Sequence, residues 1–366
     1  MSADAKMCSF YLSRRPLLAP RRMTSDVRFD ALCAWLGRVL PSPMLSIEPA
    51  SADASFRSYF RITLSDEQSL TQGGAAVGTL IAMDAPPSRE NCRPFVAVAR
   101  MLADAGVHSP AILAEALDLG FLLLSDLGTQ TYLTALTEAT APALYGDACA
   151  ALIRWQLASR QAMLPPYDEA LLRRELDLFP DWYIARHVGV TLDKAQRETL
   201  SKVFQRILDN NLAQARVYVH RDYHSRNLMV SDPNPGVLDF QDAVYGPITY
   251  DLVSLLRDAY VEWGEALQID WAARYWQRAR AAELPVGADF GTFWRDFEWM
   301  GVQRQLKVLG IFARLYHRDG KDAYLKEMPR VMRYLRDACS RYDELSPLLR
   351  LLDELQARQP AIGYSA

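Results

Sequence analysis

From Met23 onward, stretches whose apolar residues recur at helical spacing give way to short runs of apolar residues, and then return. Phe29, Leu32, Trp35, Leu36 and Leu40 form one stripe, which predicts a helix that ends where Pro41-Ser42-Pro43 interrupts it. Apolar runs at 46–49, 59–64 and 79–83, separated by polar or glycine-containing turns, predict a small antiparallel sheet. Phe95, Val96, Val98, Ala99, Met101 and Leu102 predict a helix over 88–105, stopped by Gly106 and packed on that sheet. Residues 111–116 and 120–124 read as a hairpin about Leu117-Asp118-Leu119. Beyond Gly128 the pattern is helical over 141–162, 169–187 and 193–212, breaks into a strand-like island from Val217 to Phe240, and is helical again to the end. The expected class is α+β in two lobes: a small antiparallel-sheet lobe over 23–127 and a mainly helical lobe over 128–366, with a cleft. Residues 1–22 read as a disordered extension, since their apolar patch is too short for a secretory core, and Met23 as an alternative start.

Composition narrows the function classes. Half the residues are hydrophobic, 23% are charged and the net charge is −3, so no broad cationic surface is available for nucleic acid. No apolar run approaches the ~18 residues of a membrane span. Five cysteines are scattered without CxxC spacing, which predicts buried thiols in a reducing, cytoplasmic setting and no disulfide or zinc site.

The candidate chemistry lies in the strand-like island. His220, Asp222 and Asn227 form H-x-D-x-x-x-x-N between the apolar runs 217–219 and 228–230, and Val237-Leu238-Asp239-Phe240 follows. A loop that leaves one strand and enters the next can aim Asp222 at an acceptor hydroxyl while Asn227 turns toward a metal shared with Asp239. Both metal-facing side chains offer oxygen, which suits magnesium completed by water and nucleotide phosphates. Taken singly, His220 is as readily an enclosed core histidine, Asp222 a turn residue and Asp239 a strand-end cap. It is the order and the strand context that carry the assignment.

These segments resemble the kinase superfamily, and within it the branch of aminoglycoside phosphotransferase-like enzymes that includes choline and sugar kinases. The resemblance implies a protein-kinase-like fold, ATP and Mg2+ as cofactors, Asp222 as catalytic base, Asn227 and Asp239 as magnesium ligands, His220 as structural, and Asp251 as the brace of the loop. It implies that the first lobe binds nucleotide through Ser55, Phe56 and Arg57 of a hairpin without glycine, through Met83, and through the backbone of Ser125, Asp126 and Leu127. Met83 stands where such kinases have a phosphate-binding lysine, so the usual lysine–glutamate pair is in doubt, and Glu90 reads as a first-turn helix acid. Gln241 follows Asp239-Phe240 and no activation segment follows it, which disfavours protein substrates.

More narrowly, Ala54–Arg61, Met83-Asp84-Ala85-Pro86-Pro87, the loop from His220 to Met229, Leu238–Pro247 and Gly301–Gly310 resemble the N-acetylmuramate/N-acetylglucosamine anomeric kinases of bacterial cell-wall recycling. That resemblance implies phosphorylation of the anomeric hydroxyl of a small amino sugar; a monomer with no nucleic acid or membrane partner is expected. Candidate sugar contacts are His224, Arg226 and Asp242 beside the loop, and Gln303 and Arg304, with Lys307, on one helix face. Arg304 is the choice for a lactyl carboxylate because its fork matches one. The Trp-rich helical stretches read mainly as packing. Two alternatives stay open: a kinase of the same fold acting on an aminoglycoside or choline-like acceptor, and a nucleotide-binding protein that transfers nothing.

Overall fold

The computed structural model describes residues 23–51, 56–65, 71–72, 75–76 and 78–358. The extension expected over 1–22, with Cys8, and Ser55 of the hairpin lie outside them. Helix α1 (Met23–Val39) carries the first predicted stripe: Leu32 and Leu36 are wholly buried and Trp35 nearly so. Strands β1 (Met44–Ser51) and β2 (Ser58–Leu64), the two-residue pair β3 (Thr71–Gln72) and β4 (Ala75–Ala76), and β5 (Thr79–Asp84) follow. Helix α2 (Cys92–Asp104) separates these from β6 (Ile112–Ala116) and β7 (Phe121–Ser125). Five strands pair antiparallel in the order β1-β2-β5-β7-β6.

Because alternate residues of a strand share a face, Ile62, Leu64, Leu80, Ala82 and Leu123 point one way and meet Leu32, Trp35 and Leu36 of α1 in one core with Phe121. Each fully buried leucine contributes roughly 1.5–3 kcal/mol, so α1 fixes this face of the sheet. On the register, Tyr59 lies opposite Met83 and Ser58 opposite Asp84. Helix α2 starts later than its apolar pattern predicts. The Asn91 side-chain oxygen accepts the Arg93 N–H at 3.0 Å, as a helix cap does, which leaves Glu90 ahead of the helix rather than in its first turn.

The described residues fall into two compact units, one within Met1–Arg100 and Pro110–Leu127, the other within Met101–Ser109 and Gly128–Ala366. Residues 101–109 join the second because the Gly106 carbonyl accepts from Arg154 at 3.0 Å and the His108 carbonyl from the Val237 N–H at 2.8 Å. This unit contains α3 (Tyr132–Ala135), α4 (Ala141–Leu157), α5 (Glu169–Leu176), a π-helix (Phe179–Val188) and α6 (Lys194–Ala213). Then come β8 (Arg216–Val219), β9 (Leu228–Met229), β10 (Gly236–Val237) and β11 (Val244–Pro247), followed by α7 (Tyr250–Leu256), α8 (Glu265–Ala281), α9 (Phe290–Asp319), α10 (Met328–Arg341) and α11 (Ser346–Arg358). The helix expected over 169–187 is therefore two pieces. Pro180 has no N–H to continue the α5 ladder, and Gly189, at φ 75°, closes the second piece.

Helix α9 is enclosed on nearly every side along 297–310. Gly310 is small because a Cβ there would sit 2.5 Å from the Leu178 backbone. Cys33, Cys92, Cys149 and Cys339 are buried thiols, and among the described residues no helix is long and apolar enough to cross a membrane.

Candidate active site

The loop from His220 to Asn227 leaves β8, which pairs with β11, and enters β9, which pairs with β10. Its first turn is forced: Arg221 has φ 76°, a left-handed conformation that costs a non-glycine residue on the order of 1–3 kcal/mol. Asp251, fully buried in the first turn of α7, holds that turn by accepting the His220 N–H at 2.6 Å and the Arg221 N–H at 3.0 Å. Burial pushes its carboxyl pKa up to about 7, against the pull of those two amides.

His220 ties the two halves of the site together. Its Nδ1 accepts the Asp222 N–H at 3.2 Å and its Nε2 donates to the Leu238 carbonyl at 3.0 Å, so one neutral tautomer serves both bonds. Burial pushes its pKa down to about 4. That value lies below the ~6.5 of an unfolded histidine, so the native loop binds fewer protons. The stability contributed by neutral His220 is complete above pH ~6.5 and is lost as pH falls toward 4, about 2 kcal/mol of it by pH 5. Urea unfolding of wild type and His220→Gln between pH 7 and pH 5 checks this: the wild type is expected to lose more stability across that window, and equal losses would sink the assignment.

Asn227 turns its amide nitrogen to the Asp222 carbonyl at 3.0 Å and to Asp239 Oδ2 at 3.4 Å, which leaves its own oxygen as a donor to a cation. Asp239 also has left-handed backbone, φ 61°, and its Oδ1 accepts from Gln241 at 2.8 Å. Gln241 in turn reaches Asp242 Oδ2 at 3.3 Å. Asp222, Asn227 and Asp239 are thus gathered by hydrogen bonds rather than by chain proximity alone.

Beneath the loop lies a charged cluster with no sequence signature. Glu175 of α5 accepts Arg221 Nη2 at 2.5 Å and Lys307 Nζ at 3.2 Å on Oε1, and the Tyr167 hydroxyl on Oε2. Lys307 Nζ also donates to the Tyr250 hydroxyl at 2.9 Å. Burial works to raise the Asp222 pKa, but Lys307, His224, Arg221 and His220 outweigh it and hold the carboxyl below its usual range. Asp222 is an ionised acceptor at neutral pH.

The predicted sugar contacts separate. Arg304 is 4% exposed, forms no ion pair among the described residues, and makes a long bond of 3.4 Å to the Arg257 carbonyl. Its charge is close enough to oppose protonation of His224, whose pKa burial already lowers. His224 packs edge-on to Tyr260 at 5.5 Å, and Arg226 covers Tyr260 at 4.7 Å and Tyr324 at 5.9 Å. Asp258 steadies this side, accepting the Ser225 and Tyr260 N–H groups, each at 2.9 Å. Asp242 is exposed. Gln303 is wholly enclosed and its amide donates to the Leu172 carbonyl at 3.0 Å, which places it in the packing behind the site. Sequence reasoning missed Glu175, Asp258, Tyr260 and Tyr324; each is one polar residue among many until the chain folds.

In the first unit Met83 is fully buried. The Ser125 N–H and hydroxyl are both engaged with Ala111, and Asp126 accepts Arg61 Nε at 2.6 Å and the Thr79 hydroxyl at 2.8 Å, so its carboxylate is structural. Phe56 is exposed, and Glu90, read from sequence as a helix acid, pairs with Arg57 at 3.2 Å.

Comparison with known proteins shows the family and the fold. Residues 46–290 match the profile described as "Phosphotransferase enzyme family". An N-acetylmuramate/N-acetylglucosamine kinase of Pseudomonas putida is 50% identical over 342 residues, covering 91% of this chain and 98% of its own. One of Neisseria meningitidis serogroup B is 48% identical over 325 residues, covering 88% and 94%. Among solved structures, a choline/ethanolamine kinase family protein of Mesorhizobium loti shares the fold with a TM-score of 0.58 at 17% identity, covering 91% of this chain and all of that one.

Proposed function

The chain belongs to the phosphotransferase enzyme family, and from that premise we propose that it transfers the γ-phosphoryl group of ATP to the anomeric hydroxyl of N-acetylmuramate or N-acetylglucosamine, giving the sugar 1-phosphate for cell-wall recycling. The observation that carries the reaction is the gathering of Asp222, Asn227 and Asp239 on one braced loop; the choice of acceptor follows the names of relatives near 50% identity.

Asp222 orients the acceptor hydroxyl and takes its proton, which a positioned base makes worth roughly 10²–10⁴-fold in rate. Its depressed pKa keeps it in the accepting form. Asn227 and Asp239 offer the oxygens that suit magnesium, a hard cation that keeps waters and phosphate oxygens as its other ligands and would offset charge on the group in transfer. His220 and Asp251 preserve the loop. Ser55, Phe56 and Arg57 attend the phosphates, and Met83, wholly enclosed, packs within the sheet lobe rather than against the nucleotide. The backbone of residues 125–127 meets adenine.

Arg221 and Lys307 set positive charge about Asp222, and Arg226 and Arg304 set it about neighbouring His224, which fits a neutral or carboxylate-bearing sugar and opposes a polycationic aminoglycoside. Arg304 is the partner for the lactyl carboxylate, with His224, Arg226 and Asp242 on the sugar hydroxyls and Gln303 supporting from behind. Tyr260 and Tyr324 offer ring faces to the sugar's C–H surface. Incubation with ATP, magnesium and each candidate acceptor, followed by phosphorus NMR, tests the reading. An anomeric phosphate on either amino sugar is expected. Phosphorylation of kanamycin or choline with neither amino sugar overturns the acceptor, and no product from any hydroxyl overturns the transfer.

A further inference from the structure

Kinases of this fold hold ATP phosphates with a lysine on the third strand of the sheet, and a glutamate fixes that lysine. Met83 occupies the lysine's place and is fully buried. No lysine elsewhere in the first half of the chain can substitute, because none occurs between Lys6 and Lys194. The cation must therefore be an arginine or be lacking.

We propose that the phosphate-binding cation of this protein has moved one strand over, to Arg57, and that Glu90 is the carboxylate that fixes it. Three observations converge. Arg57 Nη2 lies 3.2 Å from Glu90 Oε2, with both side chains largely buried, at 11% and 18% exposure. Tyr59 is the direct cross-strand partner of Met83, and Arg57 stands two residues before Tyr59, at the entrance to β2, the strand that flanks β5. The preceding residues are clasped in parallel: the Arg89 guanidinium covers the Phe56 ring at 4.7 Å, so consecutive residues 56 and 57 are pinned to consecutive residues 89 and 90.

Among the described arginines of this unit, Arg38 and Arg93 are exposed, and three others are committed to carboxylates of their own. Arg28 bonds Asp84 and the Leu119 carbonyl, each at 2.7 Å, Arg61 bonds Asp126 at 2.6 Å, and Arg100 bonds Glu115 at 3.2 Å. Arginine also suits the task chemically. Its planar fork can present N–H groups to a phosphate oxygen pair while another N–H stays on a carboxylate, which a lysine's point charge does less rigidly. The inference rests on the chain using ATP, and it explains how a buried methionine at position 83 is compatible with that use.

The test separates phosphate recognition from a merely structural clasp. Calorimetric titration of adenosine, ADP and the non-hydrolysable analogue AMP-PNP, each with magnesium, is compared between wild type and Arg57→Met. Affinity for ADP and AMP-PNP is expected to fall roughly 10–100-fold, as loss of a charge-assisted contact does, with adenosine changed less than about twofold. Arg57→Lys, which keeps a cation beside Glu90, is expected to retain most of the ADP affinity. Unchanged ADP and AMP-PNP binding in Arg57→Met, or an equal loss for adenosine, overturns the proposal. If Arg57→Met does not melt cooperatively, the same titrations compare Arg57→Gln with Arg57→Lys, and equal affinities for ADP overturn it. Wild-type protein that binds ADP far better than adenosine but phosphorylates neither amino sugar sinks the acceptor reading and leaves this inference standing.

Discussion

Asp222→Asn is expected to lower kcat by roughly 10²–10⁴-fold while the Kd for ATP changes little, because the substitution removes the proton acceptor and keeps the loop's shape. The loop survives because its bonds use the backbone of residue 222: its N–H donates to His220 and its carbonyl accepts from Asn227. Single-turnover phosphoryl transfer alongside calorimetric ATP binding measures both quantities. A variant that turns over near the wild-type rate would remove Asp222 from the chemistry. Parallel losses of turnover and ATP affinity would instead mean that the carboxylate holds the loop or the metal.

Glu298→Met should produce the largest loss of stability. Glu298 is 1% exposed in the N-terminal third of α9 and accepts Arg257 Nη2 at 3.0 Å, the Arg341 guanidinium, and the Tyr342 hydroxyl at 2.6 Å. Removing one partner of a buried pair costs about 3–5 kcal/mol, since it leaves Arg257 charged and enclosed without its carboxylate. For a helical unit of this size that is a fall in Tm on the order of 10 °C. The double variant Arg257→Met/Glu298→Met is expected to recover much of it, because both charges are then gone. Differential scanning calorimetry decides. A double variant no better than Glu298→Met would show that the cost lies in packing rather than in an orphaned charge. The effect should reach the proposed sugar site as well, since the Arg257 carbonyl accepts from Arg304 and Gln305, each at 3.4 Å.

Several features were legible from residue order alone, because they depend on neighbours in the chain. The stripe of Leu32, Trp35 and Leu36, the strands about 59–64 and 79–83, and the strand-loop-strand setting of His220, Asp222 and Asn227 all follow from local periodicity and spacing. The sequence reading of one continuous helix over 169–187 is wrong: its apolar periodicity runs through Pro180, whose missing N–H breaks the ladder there.

What needed the tertiary structure was the pairing of charges. Gln303, Arg304 and Lys307 are polar residues on a helix, and their spacing is equally that of a solvated face; enclosure of α9 turns them inward, where each must find a partner or await one. Glu175 becomes the counter-ion of the loop from His220 to Asn227 only when α5 meets α9 and Arg221. Glu90 becomes more than a helix-end acid only when the start of β2 brings Arg57 to it. The sequence by itself determined the loop, the elements that carry it and the family. Only the folded chain decided which charges face one another, because Coulomb and hydrogen-bond partners are selected by distance in space, and the partners here stand 33 to 132 positions apart.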